Sequence, residues 1–451
     1  MHKSAFSLVL LVLFAIPAAD AVGQQAPRAL TLDQAKRIAW TSNPGVRRAT
    51  TDLTLAELRQ RQARNNVFIP QFGSGLSFSI GRFRRYTAED FAGEPLPNPY
   101  YAEAVSSSTS QSVRLSMQLF SFGSWLNLRS AQTSVRQSEQ GMSVEMHRAG
   151  AEVERRFYQV LLADDAVLLE ERLMNTARER LAAEKGKLAA GVSLPADMLG
   201  AEIEVLDQEM RLEQSRGEAL KARLLLLDAL GMTEDVELQP VGAVPEAFDP
   251  AILSDDAIVE RALSSSPRIR QADVALENSR LQQRNARAFR WPTVSGFASY
   301  SRNRSTSGSE AFWELNPQNR GYDLGLQVSV PVPVLRFNEN LSIRAADVSH
   351  AQLVEEDATS RATLERQVRA ALIDLDNAWR GMESAQRRAA LSTERARLAG
   401  EQHRYGTITF IEFQQINDAE AQSQRALLNA RVGFTNARIA LEELLGGPVR
   451  E

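Results

Sequence analysis

The 451-residue chain contains no cysteine, which removes disulfide frameworks, thiolate zinc sites, cysteine nucleophiles and a lipid-modified N-terminal cysteine together. Its four histidines, His2, His147, His350 and His403, are widely scattered and leave little material for a metal or Ser/His site. Neither charge dominates: 52 Lys and Arg stand against 56 Asp and Glu, so the basic surplus of a nucleic-acid binder is missing. Long apolar runs are scarce too. One runs from Phe6 to Ala19, behind Lys3 and ahead of Ala19-Asp20-Ala21. It is too short to span a bilayer and has the layout of an export signal, with cleavage expected between Ala21 and Gly23. No other stretch reaches 18 apolar residues, so any part of the mature chain that enters a membrane must do so as β-strands.

What is present is a pattern written twice. Leu30-Thr31-Leu32-Asp33, with Ala39 and Asn43-Pro44, recurs as Leu253-Ser254-Asp255-Asp256, with Ala262 and Ser266-Pro267, at an offset of 223. Farther on, Leu128-Arg129-Ser130-Ala131 matches Ile343-Arg344-Ala345-Ala346, Gly191 matches Gly406, Asp197 matches Glu412, and Leu230-Gly231 matches Leu445-Gly446, all at 215. A constant offset from Leu128 to Gly231 means no net insertion there, as rods packed in register require. The change from 223 to 215 falls between Pro44 and Leu128, where loops can absorb it.

Each copy reads as helix, strand pair, long helix and return helix. Thr31 is a good N-cap for the first helix, and Pro44 should break or kink it. After Pro70 the period changes to two, with Phe72, Leu76, Phe78 and Ile80 opposed by Gly73, Gly75, Ser77 and Ser79. Val113, Leu115, Met117 and Leu119 repeat the alternation, as do Leu324, Leu326, Val328 and Val330 in the second copy. The segment between the first two strands, with Pro95, Pro97, Pro99 and Ser106–Ser108, reads as a loop. Strands of about ten residues are long enough to cross a bilayer when tilted. Then Val153, Val160, Val167, Met174, Leu181 and Leu188 fall seven residues apart, mirrored by Val368, Leu375, Met382, Ala389, Ala396 and His403. Sustained heptads argue for coiled-coil packing along a rod of roughly 97 Å.

The expected organisation is a signal peptide at 1–23, a first repeat at 24–232, a crossover linker at 233–251, a second repeat at 252–447 and a tail at 448–451. In the first repeat the strands are expected at 70–82 and 112–121, the long helix at 124–188 and the return helix at 196–230. In the second they are expected at 292–303 and 321–331, 340–403 and 410–445. The linker, with Pro240, Pro245 and Pro250, reads as irregular. Four strands cannot close a transmembrane barrel, because single-chain barrels begin at eight, so several chains must contribute.

This order, duplicated, resembles the TolC-like outer-membrane efflux proteins (outer membrane factors) over about residues 29–447. The markers are the Leu-Thr-Leu-x-x-Ala opening with Asn43-Pro44, the junctions Leu119-Phe120-Ser121-Phe122-Gly123 and Val330-Pro331-Val332-Pro333-Val334, and the Gly-containing turns after the rods. The resemblance implies a mainly α fold with a small transmembrane β part: a long antiparallel α-helical coiled-coil barrel plus four amphipathic strands per chain, internally duplicated. It further implies a homotrimer with one 12-stranded barrel in outer-membrane lipid and a helical tunnel in the periplasm. Such a protein is a passive exit duct in multidrug or metal efflux or type I export, docked to a periplasmic adaptor and an inner-membrane pump, without cofactor or bound metal. By the same resemblance, Leu76, Phe78, Ile80, Val113, Leu115, Met117, Leu119, Leu324, Leu326, Val328 and Val330 face lipid. Adaptor docking maps onto Gly191, Val192, Ser193 and Leu194 and onto Gly406, Thr407 and Ile408. A channel constriction maps onto Glu412 and Gln415, the second departing from the family's acidic pattern, with Asp418 nearby. Three Glu412 carboxylates around one axis would repel one another and hold protons and cations more tightly.

Ordinary helix-turn chemistry would also explain the tip residues, and a solvated surface carboxylate would explain Glu412. An enzyme has little support, since Asp164-Asp165 reads as a charged helix face rather than an acid/base pair. The serious alternative is a soluble periplasmic coiled-coil scaffold or adaptor, which would bury the four strands in a small sandwich.

Overall fold

The computed structural model describes residues 28–89, 92–233, 238–307, 319–332 and 336–449, so the export signal and the end of the Val330–Val334 junction lie outside the described residues. The first copy runs β1 (Arg28–Leu30), α1 (Leu32–Ser42), α2 (Pro44–Phe68), β2 (Gln71–Glu89), β3 (Pro95–Phe120), α3 (Phe122–Ala189) and α4 (Pro195–Leu230). After β4 (Leu238–Pro240) the second copy follows as α5 (Asp255–Ser265), α6 (Pro267–Ala286), β5 (Thr293–Ser307), β6 (Asn319–Ser329), α7 (Phe337–Arg404) and α8 (Phe410–Leu445). The rods α3 and α7 have 68 residues each, about 102 Å of helix.

Local chemistry sets the breaks. Thr31 and Gln34 form a reciprocal capping box at the start of α1. Pro44 occupies the first turn of α2, where its missing N–H is no loss, while the Asn43 side chain accepts from the Gly45 amide at 2.8 Å and donates to the Ala229 carbonyl at 3.0 Å. That second bond brings the end of α4 to the α1/α2 junction. Gly231, which ends α4 with φ 72°, is needed there twice over: a Cβ would sit 2.5 Å from the Ser42 carbonyl oxygen. Its counterpart Gly446 abuts Pro267 in the same way, with a Cβ distance of 2.5 Å. First and return helices thus meet end to end and together flank the rod. Its first half lies against α2 and α6, through Arg136–Glu277 and Ser130–Asn278, and its second half against α4 and α8, through Asp164–Arg223 and Glu170–Arg425.

The two cores repeat position for position. Val153, Phe157, Val160, Leu226 and Leu230 of one are matched 215 residues later by Val368, Leu372, Leu375, Leu441 and Leu445 of the other. The crossover is more ordered than an irregular linker: β4 pairs parallel with β1, because Leu30 and Leu238 both enter the first core.

The four long strands form one antiparallel sheet in the order β2-β3-β5-β6. The expected 95–108 loop is a correction. Pro95 pairs with Glu89 and Ser108 with Ser79, so β2 and β3 reach 19 and 26 residues. Before Ser106, β3 has β2 as its only described neighbour, and prolines are tolerated where one side of a strand is open.

Candidate functional site

Pairing across the sheet fixes which residues share a face. Phe72 stands opposite Leu115, Leu115 opposite Ala298 and Ala298 opposite Leu324, in one continuous apolar row. Met117, Gly296 and Leu326 form the next, and Leu119, at a bulge in β3, packs over Gly296 beside Leu326. Leu76, Phe78, Ile80, Val113 and Val328 share this side, and the Tyr300 ring packs tilted against Tyr322 at its margin with centroids 4.9 Å apart. Leu324 is 89% exposed and Leu326 71%, while Phe78 and Met117 are half-buried and Val330 lies just beyond β6. The opposite side is a field of Ser, Gly, Asn and Gln: Ser77, Ser110, Asn303 and Asn319 form one row, and Gly75, Ser112, Ser301 and Gly321 another. Through the Phe72–Leu115–Ala298–Leu324 and Met117–Gly296–Leu326 rows the sheet is apolar on one side and hydrophilic on the other, the arrangement a wall between lipid and water needs; toward Ser107, Thr109, Arg302, Arg304 and Arg320 the apolar side turns polar. Its outer edges, β2 and β6, are unpaired among the described residues.

The helical layer is equally open on one side. Leu199, Ile203, Leu206, Met210, Leu220 and Leu224 of α4 follow a heptad seam, yet each is more than half exposed. On the far edge Leu391 and Leu398 of α7 are exposed seven residues apart.

At the distal end, Gly191 (φ 77°) and Gly406 (φ 71°) close their rods in Schellman turns. The Val192 amide reaches the Lys187 carbonyl at 3.0 Å and the Thr407 amide the Gln402 carbonyl at 2.9 Å. Val192 and Leu194 project into solvent, as does Tyr405, whereas Ile408 is half-buried. Ser193 turns inward and donates to Glu184 Oε2 at 3.0 Å.

Glu412, Gln415 and Asp418 lie on one exposed strip of α8, together with Ile411. Within the chain Glu412 caps its own helix: its carboxylate accepts from the Thr409 amide and hydroxyl, both at 2.9 Å. Those two bonds hold its pKa below the ordinary carboxylate value. Asp164, for its part, pairs with Arg223 at 2.8 Å.

Sequence reasoning missed the buried polar ties between the two copies. Glu170 takes a two-pronged bond from Arg425 at 2.6 and 2.8 Å, Glu154 is held by Lys36 and Arg438 at 2.6 and 2.9 Å, and Arg180 bridges Glu204 and Asn417 at 2.9 and 2.7 Å. Under the tip, Glu184 receives Lys187 at 2.6 Å and lies 3.3 Å from His403 Nε2, while the His403 ring stacks on Phe413 at 4.8 Å. Burial pushes the Glu184 pKa up, but bonds from Lys187, His403 and Ser193 outweigh it and the net shift is downward. The available signal was spacing: Glu170 and Glu184 are charged, yet stand two heptads apart in the rod and are both buried.

A family model described as outer membrane efflux protein matches residues 38–232 and 258–447. Among solved structures the chain is similar to CusC (17% identity, 95% of this chain and 96% of that one, TM-score 0.73) and to the outer-membrane channel OprN (19%, 92% and 90%, 0.71). It is also similar to the MtrE outer membrane channel of Neisseria gonorrhoeae in its open state (17%, 92% and 89%, 0.68). No curated protein sequence matches.

Proposed function

The chain belongs to the outer membrane efflux protein family, and from that premise we propose that three copies close a twelve-stranded exit barrel continued by a helical tunnel. Its place is the outer membrane, with the helices in the periplasm. The observation that carries the trimer is the unequal treatment of two equivalent seams. Inside the chain α8 of the second copy packs on α3 of the first, and β3 pairs with β5. The equivalent partners, α4 with α7 and β6 with β2, sit at opposite edges of one chain and can meet only between chains. Ile439 is 1% exposed in the first core, while its twin Leu224, 215 residues earlier, is 59% exposed. Repeating the internal contact around a threefold axis covers Leu224 and pairs both sheet edges at once.

In this reading the apolar sheet face meets lipid and the Ser/Gly face lines water. The duct is passive. Gly191–Leu194 and Gly406–Ile408 present exposed turns to a periplasmic adaptor, which couples the tunnel to an inner-membrane pump for multidrug or metal efflux or type I export. Glu412, Gln415 and Asp418 narrow the tunnel near its tip, and Glu412 keeps its capping bonds while contributing one of three carboxylates. A soluble scaffold would leave the two-sided sheet without a purpose. Fractionation tests the assignment: the mature protein should require detergent, run as a heat-sensitive oligomer and have trimer mass by native mass spectrometry. A detergent-free monomer would end it. In planar bilayers, Glu412→Gln should weaken cation block, and unchanged block would remove Glu412 from the constriction.

A further inference from the structure

Over the four-stranded part of the sheet, the water-facing side carries charge at one level only. From Gln71 to Gly81, Ser106 to Gln118, Thr293 to Ser307 and Asn319 to Ser329, the residues on that face are Ser, Gly, Asn, Gln and Thr, apart from Phe297, Arg114 and Asp323. The two charges share a cross-strand row, Gly73–Arg114–Ser299–Asp323, in which Ser299 stands directly opposite both. Each is held against the wall. The Arg114 guanidinium lies over the Phe297 ring at 5.9 Å from its centroid, and the Ser299 hydroxyl donates to Asp323 at 3.2 Å. Phe297 in turn lies across Gly325, where a Cβ would meet the ring at 2.8 Å. These charges are unnecessary for sealing the sheet, since every neighbour on that face is neutral.

The strand order turns this row into a pattern. Arg114 is on the second strand of the sheet and Asp323 on the fourth. Closing three sheets β6 to β2 therefore puts Arg on strands two, six and ten and Asp on four, eight and twelve. The signs therefore alternate around the barrel, and within each chain Arg114 and Asp323 stand two strands apart, about 10 Å along the row. That interval is close to the Debye length of about 8 Å in physiological salt, so positive and negative sectors stay distinct instead of averaging out. A solute with one charge finds one complementary sector, and a solute with both finds two adjacent ones, with an aromatic face beside the positive sector.

We propose that Arg114 and Asp323 form a charge-alternating recognition belt inside the exit barrel, matched to organic solutes that carry both a cationic and an anionic group. The proposal rests on the trimeric barrel reading above. The absence of cysteine permits a direct test with Ser299→Cys in intact cells, labelled from outside by methanethiosulfonates that are anionic, cationic or, as an amino-acid derivative, zwitterionic. Each rate is normalised to that reagent's rate with a free thiol. With the belt intact, the zwitterionic reagent should react about threefold faster than either singly charged one. Arg114→Gln should slow the anionic reagent and Asp323→Asn the cationic one, each by roughly threefold, and either should remove the zwitterion's advantage. The exchanged pair, Arg114→Asp with Asp323→Arg, should restore it, which guards against a variant that merely assembles poorly. Equal normalised rates for all three reagents in every background would overturn the belt while leaving the barrel intact. A thiol introduced by Ser299→Cys that no reagent reaches would instead overturn the water-lined barrel, and the belt with it.

Discussion

The return helices α4 and α8 descend from one pattern and meet opposite fates. At equivalent positions α4 carries Leu206, Met210, Leu220 and Leu224, all exposed in the single chain, where α8 carries Ala421, Arg425, Thr435 and Ile439, all buried or half-buried. The seam inside the chain is riveted by charge: Arg425 holds Glu170 and Arg438 holds Glu154. The position on α7 equivalent to Glu170 is Ala385, so the Arg425–Glu170 pair has no counterpart at the corresponding seam between chains. Apolar contact replaces it there. A seam made during folding tolerates buried charges with defined partners, whereas one made by separate molecules gains more from non-directional burial.

The largest effect should come from breaking the open seam. Leu206→Glu with Leu220→Glu places two charges per chain at the proposed interface and should abolish the oligomer while the chain keeps its helical circular dichroism; a persisting trimer would show that α4 is not its interface. Next comes the closed seam. Glu170→Ala leaves Arg425 without its buried partner and should cost about 3–5 kcal/mol in chemical unfolding. Arg425→Met with Glu170→Ala, which imports the Met210–Ala385 chemistry of the other seam, should recover much of that loss.

Smaller again is the tip. Because the Glu184 pKa is depressed in the folded chain, its stabilisation is present above the ordinary carboxylate range and is lost as pH falls through the folded value. Amide protection factors around residues 184–193 and 403–410, taken relative to intrinsic exchange at each pH, should therefore fall on acidification below the ordinary carboxylate range. Glu184→Gln should lower them at neutral pH, by an amount worth about 1–3 kcal/mol, and flatten the acid response. The smallest contrast is between two glycines. Gly191→Ala meets open space and should cost about 1 kcal/mol for its left-handed backbone, whereas Gly231→Ala adds the clash with the Ser42 carbonyl and should cost visibly more in thermal unfolding.

These contrasts also mark what could be read from the letters alone. Period-seven and period-two patterns expose the rods and strands because each element buries or presents one face along its length, and Gly191 and Gly406 punctuate the rods because L-residues avoid their backbone angles. The extension of β3 through Pro95–Pro99 was illegible, since a proline marks a loop or an open strand side equally well. So were the ties that Glu154, Glu170 and Glu184 make to the second copy: His403, Arg425 and Arg438, 219 to 284 positions distant along the chain, leave no local trace. The capping of Glu412 by Thr409 is local and written in the Thr-x-x-Glu spacing, a pattern that a constriction carboxylate can carry at the same time.

In the proposed trimer the contact between α3 and α8 is repeated between chains by α7 and α4. Glu170 and Arg425 touch, so their equivalents Ala385 and Met210 of neighbouring copies should lie face to face. Ala385→Cys with Met210→Cys, in a chain with no other cysteine, should be converted by a short bismaleimide into a covalent trimer on denaturing gels, and each single variant should not. A doubly substituted protein that assembles normally yet remains monomeric on the gel would show that α7 and α4 of neighbouring copies do not meet in this register.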